Sequence, residues 1–322
     1  MLLELDRHAF GWGTAVNSED LLKSPDHLKA VSDFFNVAVF ENDLKIKRWQ
    51  NKDTHKATID AIDLLALYGV QTKGHVLMAD FQYLPERVRN MEQSPQKVVN
   101  LMNQHLQSIV DATKGKISRW DVINILRHQR DLQRITGSNE ILYNGFRILR
   151  DMDPAAERFI NEYGIISKGG HDVLKQDWYY QFIQEVDAAT GGLVDGIGMQ
   201  CHIGSDLTAP TQVLAILDRF GSLGKKIAIS EFTLDIDDPE VRYNYTRDFM
   251  IAAFSHPSVH DFLFWGYYEP NHPKAAILPK TGRQGNMSWP IFFSAGLWKT
   301  RIEAATDAGG RIQGRGSMVL SV

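Results

Sequence analysis

Lys226-Ile-Ala-Ile-Ser-Glu-Phe232 is an apolar run of strand length that ends in a carboxylate, Glu231. β-Branched residues alternating with small ones predict a buried strand. A carboxylate at the exit of such a strand needs partners, because an unpaired buried charge is strongly unfavourable. Glu231 is therefore a candidate functional group, and the rest of the chain must supply its surroundings.

Working outward, the same strand pattern recurs every 30 to 45 residues or so, at 8–16, 36–42, 70–78, 117–124, 157–163, 194–202 and 262–267. Helical periodicity fills the gaps, at 25–35, 56–68, 95–112, 140–150, 177–188, 210–220 and 239–254. With the opening stretch this makes eight apolar strands alternating with helices. That order predicts an α/β protein with a parallel sheet covered by helices, and eight is the number that closes a single (β/α)8 TIM barrel. The rival, an open doubly wound sheet, lacks its Gly-rich phosphate fingerprint after the first strand.

The chain has 322 residues, 43% hydrophobic and 23% charged, which suits one globular barrel domain over 1–322. No linker or low-complexity tract divides it. A turn-rich extension is expected from about residue 303, with a short closing strand at 317–322. The net charge of -4 has mixed signs and gives no footprint for nucleic acid. No apolar run reaches membrane-spanning length, and the first seven residues are too short and too charged for a signal peptide, so the compartment stays open. Cys201 is the single cysteine, which excludes an intramolecular disulfide. No cofactor or metal is expected, since His75 and His202 show no metal-ligand spacing.

Polar residues collect at the C-terminal ends of these strands, the face on which such barrels carry their sites. They are Asn17, then Glu41, Asn42 and Lys45, then Lys73 and His75, then Asn124, then Asn161, Glu162 and Tyr163, then Gln200 and His202, then Glu231, then Trp265. Any one alone reads as a satisfied rim group. Together, amides, imidazoles and a lysine around a carboxylate suit a hydroxyl-rich ligand.

The ring resembles glycoside hydrolase family 10, the retaining endo-β-1,4-xylanases. The resemblance spans nearly the whole chain and rests on Phe40-Glu-Asn-Asp-Leu-Lys45, Lys73-Gly-His75, Trp120-Asp-Val-Ile-Asn124, Asp195-Gly-Ile-Gly-Met-Gln-Cys-His202, Ile229-Ser-Glu231 and Phe264-Trp-Gly266. It implies that Glu231 is the nucleophile and that Asn124 bonds the sugar hydroxyl beside the reacting carbon. It implies that His202 holds the nucleophile, and that Glu41, Asn42, Lys45, His75 and Gln200, with Trp265 and Tyr268, line sugar subsites. The partner so implied is an oligosaccharide or similar small molecule, bound by a monomer.

The pattern breaks at the acid. The family places its acid/base glutamate directly after that asparagine, and this chain has Ile125. Retaining hydrolysis uses two carboxyls about 5–5.5 Å apart, one to protonate the leaving oxygen and one to attack. General acid catalysis contributes roughly 10²–10⁴-fold, so ordinary xylan cleavage is expected to be weak or lost. Ile46 stands where the family carries a tryptophan, the family's third motif continues from Gly-His to a tryptophan that Val76-Leu-Met-Ala-Asp80 lacks, and Tyr267-Tyr268 follow Trp265-Gly266. Changes concentrated around the carboxylates suggest a changed ligand or a deliberate redesign of the pocket.

Two alternatives therefore stand beside the hydrolase. Facing Ile125, Ile46 and Ala79, Glu231 has a drier setting, suited to a general base abstracting a proton from carbon, as in a Kemp elimination. Asp80 is the rival base, although a helix cap explains it as well. Glu162 is a further candidate base or acid, and Asp121 reads as barrel wall. The other alternative is a non-catalytic xylo-oligosaccharide-binding barrel. Lys45 is a poor Schiff-base lysine, because Glu41 and Asp43 are expected to hold its charge.

Overall fold

The structure, a computed structural model, describes residues 10–78, 86, 94–124, 127 and 130–267. Eight strands form a closed parallel barrel in sequence order, and β1 pairs with both β2 and β8. They are β1 (Gly11–Val16), β2 (Val37–Phe40), β3 (Gln71–Met78), β4 (Ile117–Asn124), β5 (Glu157–Tyr163), β6 (Gly196–Ile203), β7 (Lys226–Leu234) and β8 (Val259–Phe264). The predicted (β/α)8 class is the observed one.

Around the barrel run α1 (Ser18–Lys23), α2 (Pro25–Phe34), α3 (Ile46–Trp49), α4 (Lys52–Leu67), α5 (Pro95–Thr113), α6 (Asp131–Thr136), α7 (Glu140–Met152), α8 (Val173–Thr190), α9 (Pro210–Gly221) and α10 (Pro239–Ser255). Local chemistry starts and stops them. Asn51 and Asp238 each accept from two backbone N–H groups of the turn that follows, capping α4 and α10. Pro opens α2, α5, α9 and α10, where its missing N–H has no intrahelical partner to lose. Gly191 ends α8 at φ 76°, a left-handed position that a side chain resists.

Most strand bounds match the apolar runs, but β8 lies earlier than 262–267. Its first half is Val259-His-Asp261, too polar to read as buried. The reason is a charged plug at the N-terminal end of the barrel, where Asp261 accepts from Arg119 of β4 at 2.7 Å. A Cβ on Gly11 of β1 would sit 1.8 Å from Asp261 Oδ1, so glycine makes room for the plug. Residues 8 and 9, the extension from about 303 and the strand at 317–322 lie outside the described residues.

α5 lays Val98, Met102, His105, Leu106, Ile109 and Val110 against the barrel at helical spacing. His105 is the odd member. Its Nε2 is buried with no hydrogen-bond partner among the described residues, and burial lowers its pKa to about 4. The unfolded chain takes up this proton below about pH 6.5 whereas the folded chain resists until about pH 4. Stability is thus expected to fall by about 3 kcal/mol between those limits. Urea titrations of His105→Leu should show a flatter fall over that window than the parent.

Candidate active site

β7 delivers Glu231 to the C-terminal mouth of the barrel, with its carboxylate almost wholly buried. A register shift between β6 and β7 pairs Met199 with Ile229 but Gln200 with Glu231, leaving Ser230 as the extra residue. Both Ser230 and Glu231 then reach Asn161 on β5. The Ser230 hydroxyl donates to Asn161 Oδ1 at 2.6 Å, which turns the amide NH2 towards Glu231 Oε1 at 2.9 Å. On the other side, His202 Nε2 of β6 lies 3.1 Å from Glu231 Oε2. Groups from two neighbouring strands, β5 and β6, fix the carboxylate.

β3 and β4 build the opposite wall. His75 Nδ1 is 2.9 Å from Asp121 Oδ2, and Lys73 Nζ forms an ion pair with Asp121 Oδ1 at 2.8 Å. Burial pushes the Asp121 carboxyl up, but Lys73 and His75 outweigh it and hold it below the ordinary carboxylate range. An ionised carboxylate only accepts, so His75 carries a hydrogen on Nδ1. Its Nε2 faces Glu231, 4.0 Å from Oε1. Asp121 is therefore part of the site's support rather than barrel wall alone. At the end of β4, Asn124 Oδ1 accepts from Gln200 at 2.7 Å, which leaves the Asn124 NH2 as the group offered outward.

The turn after β2 carries Glu41, Asn42 and Lys45, with Lys45 Nζ donating to Asn42 at 3.0 Å. Asp43 does not hold Lys45 as expected from sequence: it accepts from the Ser18 backbone and hydroxyl at 2.8 and 2.7 Å, and from Arg48. Trp265 follows β8, half-buried, with its ring edge-on to His75 at 5.2 Å between centroids. Asp80, Tyr268, Ile125 and Ala79 lie outside the described residues. Ile46 is buried in the hydrophobic core.

Glu162 cannot join Glu231 as a second carboxyl. Side chains alternate along a strand, and Glu162 faces the helix layer, 3.1 Å from Lys175 Nζ of α8, while Asn161 faces inward. Cys201 is no rival nucleophile either, because burial, with the Glu231 charge nearby, pushes its thiol up. Among the described residues no group of three or more His, Cys, Asp or Glu could hold a metal ion. No described helix is long and apolar enough to cross a membrane.

Two contacts went unread in the sequence. Asn161 was seen at its strand end but not as the donor to Glu231. Thr233, whose Oγ1 lies 2.9 Å from His202 Nδ1, was not seen, although it stands two residues after Glu231 on the same face of β7.

A model of glycosyl hydrolase family 10 matches residues 2–295 of the chain. The anti-sigma-I factor RsgI6 of Acetivibrio thermocellus is 29% identical over 323 residues, which is 97% of this chain and 40% of that protein. Endo-1,4-beta-xylanase 1 of Arabidopsis thaliana is 28% identical over 267 residues, 82% of this chain and 27% of that protein. The chain thus spans less than half the length of these relatives. Xylanase 10B from Thermotoga petrophila RKU-1, solved in complex with xylobiose, superposes with a TM-score of 0.76 at 20% identity, covering 88% of this chain and 93% of that one.

Proposed function

The chain belongs to glycosyl hydrolase family 10, and from that premise we propose that its barrel binds β-1,4-xylo-oligosaccharides and uses Glu231 as a nucleophile, with hydrolysis of xylan weak or lost because Ile125 stands in place of the acid. The observation that carries the reading is the fixing of Glu231 by Asn161 and His202. A carboxylate oriented by two donors is ready to attack, and the side chains around it offer sugar hydroxyls both donors and acceptors. Proton abstraction by Glu231 has less support, since its premise is an apolar setting and the described neighbours of the carboxylate are polar.

A xylobioside with an acidic phenol as leaving group tests this. Such a phenol departs as its anion and needs no proton, so the carboxylate can displace it and form a glycosyl ester without an acid. Release of the ester by water needs a base, so it lags. The expected result is a burst of about one equivalent of phenol per chain, then a slow phase, with neither in Glu231→Gln. Calorimetric heat with xylotetraose but no burst would leave a binding barrel, and absence of both would overturn the proposal.

A further inference from the structure

We propose that Tyr267 is a positioning residue for Trp265, acting through the contact of its hydroxyl with His27 of α2. Its effect on sugar binding rests on the reading of Trp265 as a sugar-subsite residue. The inward side chains of β8 continue past the end of the strand. Leu263 belongs to a barrel-interior cluster with Ala15, Val37 and Val39, and Trp265 packs against it. Phe262 and Phe264 point the other way, into the core shared with Val31 of α2 and Phe249 of α10. Strict alternation would send residue 267 inward with Trp265. Instead Gly266 takes φ 112°, and Tyr267 is buried in the same outer core as Phe262 and Phe264. There its hydroxyl lies 2.6 Å from His27 Nδ1, with the two rings edge to face at 5.7 Å between centroids.

The anchor matters because of where the backbone ladder stops. On one side the Trp265 N–H donates to the Phe232 carbonyl of β7 at 2.9 Å. On the other, the register of β8 with β1 runs only to Phe264 opposite Thr14. The joint that follows is glycine, which takes either sign of φ with similar ease and so holds nothing by itself. His27 lies in the helical segment between β1 and β2, so its contact with Tyr267 ties the exit of β8 to the side where that register ends. A phenol both donates and accepts, so the contact suits either neutral imidazole tautomer. Trp265 is half-buried, with an edge contact to His75. A ring packed on one side keeps its orientation only while the backbone beneath it is fixed.

Fluorine spectra of the whole chain, grown with 5-fluorotryptophan at its 7 tryptophans, test this without any sugar. Trp265 is assigned by the loss of its line in Trp265→Phe. The parent is expected to give one sharp Trp265 line. Tyr267→Phe and His27→Leu should each shift or split it, and His27→Asn, whose amide reaches the place of Nδ1, should keep the parent line. Calorimetry with xylotetraose should show binding roughly three- to tenfold weaker in Tyr267→Phe and in His27→Leu, as the share of correctly set rings falls by the worth of one neutral hydrogen bond. The double variant should be no weaker than either single one, because both remove the same contact. A Trp265 line unchanged in both single variants, with only a lower unfolding midpoint, would make the bond merely structural and overturn the proposal. Losses that multiply in the double variant would overturn it too. If the parent gives no heat with xylotetraose, the sugar reading fails, and the fluorine line still decides whether Tyr267 sets Trp265.

Discussion

Ile125→Glu is expected to raise the rate on unactivated xylo-oligosaccharides by roughly 10²–10⁴-fold, the usual contribution of a general acid. Asn124 closes β4 with its amide fixed by Gln200. The resemblance puts the family's acid at the position that follows. The groups around the carboxylate need no change for this gain, because Asn161 and His202 already hold Glu231, with His75 Nε2 4.0 Å away. The gain should be confined to poor leaving groups. With an acidic phenol the first step hardly benefits, while the slow second phase should quicken, since the new carboxylate also activates water. Reducing-sugar release from xylan and the leaving-group dependence of both phases measure this. No gain on xylan would mean that other changes, Ala79 and Tyr268 among them, have reshaped the pocket beyond one residue.

The second large effect concerns stability. Lys73→Met should cost about 3–5 kcal/mol, the range found when one partner of a buried ion pair is removed. Lys73 is fully buried and faces Asp121, which is buried too. Methionine keeps the volume but leaves the carboxylate without its main counter-charge. Asp121 sits below its ordinary pKa in the parent, so its favourable contribution is present above the unfolded value and is lost as pH falls through the folded value. Without Lys73 that contribution should fade at higher pH than in the parent. Lys73→Met/Asp121→Leu should recover part of the loss, since an apolar pair leaves no buried charge unpaired. Urea unfolding at several pH values reads both effects, and an unchanged midpoint in the single variant would sink the argument.

The barrel was legible because its strands are buried on both faces and read as continuous apolar runs. β2 and the start of β7 come straight from that pattern. β8 was misplaced because its inward Asp261 answers Arg119 on a strand 142 residues earlier, a pairing that local composition does not reveal. The site divides in the same way. Glu231 and His202 stand out as polar groups at the ends of apolar strands. The roles of Asn161, Asp121 and Thr233 depend on cross-strand register and on a bulge at Ser230, and both are set by tertiary packing.

The pairing of β1 with β8 has a consequence for how the chain reaches its folded state. Once the ring is shut, none of the eight strands offers an open edge on which another chain could add a strand. The seam joins residues near 11 to residues near 261, so it is among the most distant pairings in the sequence, and such pairings form slowly. Until then Gly11–Val16 and Val259–Phe264 are sticky margins, and molecules caught in that interval can zip to one another instead of to themselves. The hazard is thus one of timing: refolding yield should fall steeply with protein concentration, while the finished ring stays monodisperse.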